Sequence, residues 1–233
     1  VRSGSMDLVV STERNEGFEG DISLATLYAP PGIAVNNGRK IAKGSNEITV
    51  PITANGSAAI GTWPMVLVAT YDTGNGPGKI AAGPIDLEVA DLAFKFEFPR
   101  IAGETGTETA IELGVEVMRP IEGATELELV GLPAGVTSPA AKQSITADST
   151  SVTFPIHITP EAKIGNHKTL YCIARITSDA GLITQTQGTG EIRIDAPLKP
   201  KADAPVAAKP DPAKAPPKPL RRIEQLRQMK SGK

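Results

Sequence analysis

The sequence predicts an all-β chain: two copies of one antiparallel β-sandwich, then an extended Pro/Ala/Lys tether and a short C-terminal helix. Three observations lead there. The chain repeats itself at an offset of about 104 residues, apolar side chains alternate with polar ones through most of it, and helical periodicity is absent before residue 219.

The repeat is read residue by residue. Val50-Pro51-Ile52-Thr53 aligns with Phe154-Pro155-Ile156-His157 at an offset of 104. At the same offset Ala58 meets Ala162, Ile60 meets Ile164, Gly61 meets Gly165, and Val66 and Val68 meet Leu170 and Cys172. Upstream the offset is 103, where Leu24 meets Leu127, and Pro30, Gly32 and Ile33 meet Pro133, Gly135 and Val136. One residue of loop length accounts for the change. A period near 100 matches a sandwich domain and exceeds the 20 to 50 residues of solenoid repeats. The boundaries that follow are 1–90 for the first copy and 91–195 for the second.

Within the copies, Leu92, Phe94, Phe96 and Phe98 put apolar groups on one face of a strand, with Lys95 and Glu97 on the other. The same period of two returns in Ile111 to Val117, Val152 to Ile158 and Leu170 to Ile176. Turns such as Asp72-Thr73-Gly74-Asn75-Gly76-Pro77 and Ser178-Asp179-Ala180-Gly181 bound the runs. Thr159-Pro160-Glu161-Ala162-Lys163-Ile164-Gly165 reads as a single capped helical turn, pinned by Ile164 and, in the first copy, by Ile60. The second copy opens with the Leu92–Phe98 strand well before Ile111, whereas only seven residues precede Leu8, the equivalent of Ile111. The first copy is expected to lack its first strand, and the chain to be the C-terminal part of a longer polypeptide with a signal peptide upstream.

From Ala196 to Pro219, 22 of 24 residues are Pro, Ala, Lys or Asp, which reads as an extended, solvated linker. Residues 220–233 read as a short basic helical tail, with Arg221, Arg222, Arg227 and Lys230 as candidates for docking on an anionic surface. The bland alternative is a solvated tail.

Pro-x-Gly-Ile/Val at a strand end, Val/Phe-Pro-Ile before an Ala-x-Ile-Gly turn, and a following strand through Ala69 or Ala174 resemble the motifs of bacterial immunoglobulin-like sandwich modules. Such modules lie beside alpha-galactosidase-type catalytic domains and in large secreted or envelope proteins. The resemblance implies a spacer, stabilising or binding module that is secreted, periplasmic or envelope-located, and whose partners are other domains of the same polypeptide. Antibody-type domains add an intersheet Cys pair, but here Cys172 meets Val68 across the repeat, so no such bridge forms.

Composition removes other classes. One Cys cannot build a disulfide framework or the paired thiolates of a structural zinc site. No apolar run reaches the ~18 residues of a membrane span. The net charge of -2 divides into ten basic and three acidic groups in 196–233, and fourteen basic and twenty-three acidic groups before them, which argues against a whole-chain nucleic-acid binder.

No catalytic, cofactor or metal residues are expected. His157 and His167 lack ligand spacing, Cys172 lies on a core phase, and Gly74-Asn75-Gly76-Pro77-Gly78-Lys79 reads as a hairpin and not a phosphate loop. Asp72 and Asn75 lack the clustered carboxylates of a calcium loop, and the alternating Glu112, Glu116, Glu126 and Glu128 read as solvated strand faces. Trp63 and Tyr71 are the candidate ligand-binding residues, for cell-wall polysaccharide or another carbohydrate. The expected function is a non-catalytic structural, spacer or interaction module; the alternative is a carbohydrate-binding accessory module of a secreted hydrolase.

Overall fold

The computed structural model describes residues 1–121 and 123–197, which carry sixteen β-strands. The first half carries β1 (Gly4–Ser11), β2 (Ile22–Tyr28), β3 (Ile33–Val35), β4 (Lys40–Ile41), β5 (Glu47–Ala54), β6 (Gly61–Asp72) and β7 (Pro77–Val89). The second carries β8 (Phe94–Glu97), β9 (Ile101–Glu104), β10 (Glu108–Val117), β11 (Thr125–Val130), β12 (Val136–Thr137), β13 (Lys142–Ile145), β14 (Ser151–Ile158), β15 (Gly165–Ser178) and β16 (Gly181–Asp195). The expected tether from residue 198 onward and the helical tail, with Arg221, Arg222, Arg227 and Lys230, lie outside the described residues.

The second half pairs β12-β14-β10-β8 in one sheet and β13-β11-β15-β16 in the other, with β9 joined to β16 as the one parallel pairing among the described strands. Its opening segment therefore begins on one sheet as β8 and crosses to the other as β9. Two antiparallel sheets with this connectivity make an immunoglobulin-like sandwich. The first half repeats the plan with β3-β5-β1 facing β4-β2-β6-β7. Strand β1 also pairs with β16, so one eight-stranded sheet runs β13-β11-β15-β16-β1-β5-β3, with β9 beside β16.

Strand register corrects the sequence alignment at one point. Leu24 of β2 faces Ala69, and Leu127 of β11 faces Ala174, an offset of 105 on the later strand. Met65 and Leu67, both buried, therefore correspond to Leu170 and Cys172, whereas Val66 and Val68 are turned to the other face. The extra residue falls where β15 loses register against β16, between His167 and Leu170. Because side chains alternate, a slip of one exchanges the inner and outer faces.

The connection before β15 is also tighter than the expected helical turn. Ala162 N–H donates to Thr159 O at 3.1 Å, and Ala58 N–H to Asn55 O at 3.2 Å, and no helix follows. The buried anchors are Ala58 and Ala162, while Ile60 and Ile164 are 50% and 57% exposed. Gly32 and Gly135 approach those alanines so closely that only a methyl-sized side chain fits beneath them.

The two cores differ in completeness. In the second half Phe94, Ile111, Leu113, Phe154 and Ile156 are all fully buried. In the first, Leu8 and Val10, which hold the places of Ile111 and Leu113 in the strand registers, are only half-buried.

Candidate functional site

The difference traces to what covers each core. In the second half, alternation on β8 directs Phe94 and Phe96 inward, where both are buried. Gln185 of β16, fully buried, holds that strand: its Oε1 accepts from Ala93 N–H at 2.8 Å and Phe94 N–H at 3.3 Å, and its Nε2 donates to Phe94 O at 2.6 Å. Gln187 accepts from Phe96 N–H at 3.2 Å. The ring of Phe98 then lies against Gly188 and Gly190, where no larger residue fits. Ile101 of β9, also buried, enters the same core. A buried amide costs little only when it finds partners, and here Oε1 accepts two bonds and Nε2 donates one.

The first half preserves the receiving surface without the strand. Ala69 faces Ile80 as Ala174 faces Gln185, so Ile80 holds the glutamine's place, and it is 58% exposed. Gly83 (φ 116°) repeats Gly188 (φ 113°). Strand β7 is an edge of its sheet, with Lys79 to Pro84 exposed. Between the sheets is an apolar groove lined by Met6, Ile33, Ile52, Leu87 and Val89, with Val1 and Ile183 at its border. This groove, which runs against Leu87 and Val89 of β7, is the candidate site.

The residues singled out in the sequence sit elsewhere. Trp63 and Tyr71 lie eight residues apart on β6, toward its opposite ends, and form no common platform. Trp63 Nε1–H donates to Ala59 O at 2.9 Å; its counterpart His167 places Nε2 2.8 Å from Lys163 O. Both rings thus tie the turn before their strand. Tyr71 packs edge-on against Phe18, with ring centroids 5.4 Å apart. His157 is exposed on β14. Cys172 is fully buried, and loss of hydration pushes its thiol up to about 12. Asp72 accepts from Gly74 N–H at 2.8 Å within a hairpin turn. Among the described residues no three His, Cys, Asp or Glu side chains gather as a metal site, and no helix is long and apolar enough to cross a membrane.

Three of the four strand-face acids, Glu116, Glu126 and Glu128, form ion pairs. Arg175 meets Glu126 at 2.7 Å and Glu128 at 2.6 Å, and Lys142 meets Glu126 at 3.2 Å; Glu116 pairs with Lys95 at 3.3 Å. Arg14 was not singled out in the sequence, because its partners are backbone carbonyls: it donates to Gly20, Ala42 and Ser45, closing the loops around Phe18.

No protein-family model matches the chain, and no characterised protein matches it in sequence. Among solved structures it is similar to the D0-D1 domain of intimin (10% identity, 82% of this chain and 87% of that one, TM-score 0.27). A protein of unknown function from Porphyromonas gingivalis W83 gives 15% identity, 81% and 90% coverage and a TM-score of 0.26. A chimeric titin Z1Z2-Z1Z2 tandem gives 12%, 84% and 93%, and 0.24. At such TM-scores the likeness carries no argument, and the fold assignment rests on the strand pairings.

Proposed function

We propose that the chain is a non-catalytic structural and interaction module, the C-terminal part of a larger secreted or envelope protein, with units at 1–90 and 91–195 and a basic tether behind them. The observation that carries the reading is the sharing of β1. Its Gly4, Ser5 and Met6 pair with Gln185, Thr184 and Ile183 on one side and with Ala54, Thr53 and Ile52 on the other. A strand bonded on both edges couples the sandwiches through backbone hydrogen bonds, and a hinge between them would have to break that ladder. Stiff coupling suits a module that sets the distance and orientation of attached parts. Backbone ¹⁵N relaxation tests it: the two halves should report one rotational correlation time, and separate times would refute the coupling.

A further inference from the structure

Thirteen residues of the second half, Leu92 to Glu104, show what an equivalent groove accepts: an extended segment with Phe94 and Phe96 inward, then a crossing to run parallel beside β16 with Ile101 inward. At the end of that segment Thr105 N–H donates to Asp195 O at 3.0 Å. In the first half Arg2 N–H donates to Ala90 O at 2.9 Å. Val89 and Ile194 hold equivalent places opposite Gly61 and Gly165, so Ala90 corresponds to Asp195. The chain thus leaves Val1 and Arg2 along the path that the second half follows out of β9.

We propose that the groove of the first half is a strand-acceptor site whose occupant is the stretch of polypeptide leading into Val1, extended, apolar at alternate positions, and parallel to β7 along Leu87–Val89. The inference rests on the reading of the chain as part of a larger polypeptide. Two further observations fit it. Leu8 and Val10 are half-buried where their counterparts Ile111 and Leu113 are fully buried, and Ile80 is exposed where its counterpart Gln185 binds a strand. Main-chain pairing supplies affinity and the alternate pockets supply selectivity.

The test fuses the sequence of residues 92–103 directly before Val1 and follows amide hydrogen exchange at Leu8, Val10 and Leu87–Val89. The fused strand should slow exchange there at least about tenfold, equivalent to about 1.4 kcal/mol. A fusion carrying Phe94→Ser, Phe96→Ser and Ile101→Ser within the added segment should not. Ile80→Asp, a change at an exposed side chain, should cancel the protection while leaving the unextended chain folded. No added protection from the apolar fusion overturns the proposal. So does displacement of β8 and β9 from the second half, seen as altered exchange at β10 and β16. Equal protection by the same peptide added free at micromolar concentration overturns the intrachain source in favour of a partner's strand. The polypeptide encoded about ten residues ahead of Val1 should alternate apolar and polar; a Gly/Pro or uniformly charged stretch there also overturns the assignment. The larger-polypeptide reading fails separately, if a start codon immediately precedes Val1.

Discussion

Gly135 lies directly against Ala162: a β-carbon added to it would stand 2.7 Å from the Ala162 α-carbon and 3.0 Å from its methyl. Gly32 and Ala58 repeat the relationship at 2.6 and 3.0 Å. Both glycines have left-handed φ, 83° and 81°. Gly135→Ala and Gly32→Ala therefore combine backbone strain with a backbone clash. Each should cost at least about 2 kcal/mol in urea unfolding. Wild-type midpoints would show that the loops separate freely.

Gln185→Ala should release β8. It leaves Ala93 N–H and Phe94 N–H without their acceptor inside the core, at a cost of about 2–4 kcal/mol. The exchange of Phe94 and Phe96 amides should rise first. An unchanged exchange pattern would mean the glutamine is incidental to docking the strand.

Cys172 should resist thiol reagents in the folded chain at neutral pH and react fully in denaturant, because its thiol is buried and sits at about 12. Cys172→Ser should destabilise the second half by about 1–3 kcal/mol, since it places a hydroxyl among buried apolar side chains. Fast native labelling would contradict the packing.

The ion pairs set a pH dependence. The Lys142 hydrogen bond, with Arg175 adding to it, holds Glu126 below the ordinary carboxylate value. A folded-state pKa that is depressed contributes stability above the unfolded value and loses it as pH falls through the folded one. Melting temperature should therefore fall on the acid side of the ordinary carboxylate range, and Lys142→Met with Arg175→Met should flatten that limb. Glu126 is at the surface, so the effect should be small and diminish at high salt.

Trp63→Ala should act on stability, through the lost bond to Ala59 O and the lost packing, by about 1–3 kcal/mol. Retention on insoluble glycans should not change. Selective loss of glycan retention with an unchanged unfolding midpoint would favour the carbohydrate reading.

The all-β class was legible because half-buried strands alternate, and runs such as Phe94-Lys95-Phe96-Glu97 admit no helical reading. The repeat was legible because turn glycines and proline-flanked strands recur at fixed spacing. The bulge before Leu170 was not, since one inserted residue leaves the composition of the strand unchanged while reversing its faces. Gln185 gave no signal either: a polar residue in an alternating strand reads as solvent-facing unless the partner strand it serves is known. The double pairing of Gly4–Met6 likewise depends on a strand about 180 residues away. Trp63 stands out in the sequence as a rare aromatic side chain, whereas its hydrogen bond to Ala59 O depends on the fold of the turn before β6.

Site-resolved amide hydrogen exchange on the unextended chain tests the central claim, two unequal sandwiches joined through β1, most directly. Ile111, Leu113 and Phe154 should exchange most slowly, Leu8, Val10 and Val50 at least about tenfold faster, and the β1–β16 pairing across Gly4–Met6 should remain protected. Equal protection of the two cores, or free exchange throughout Gly4–Met6, would contradict it.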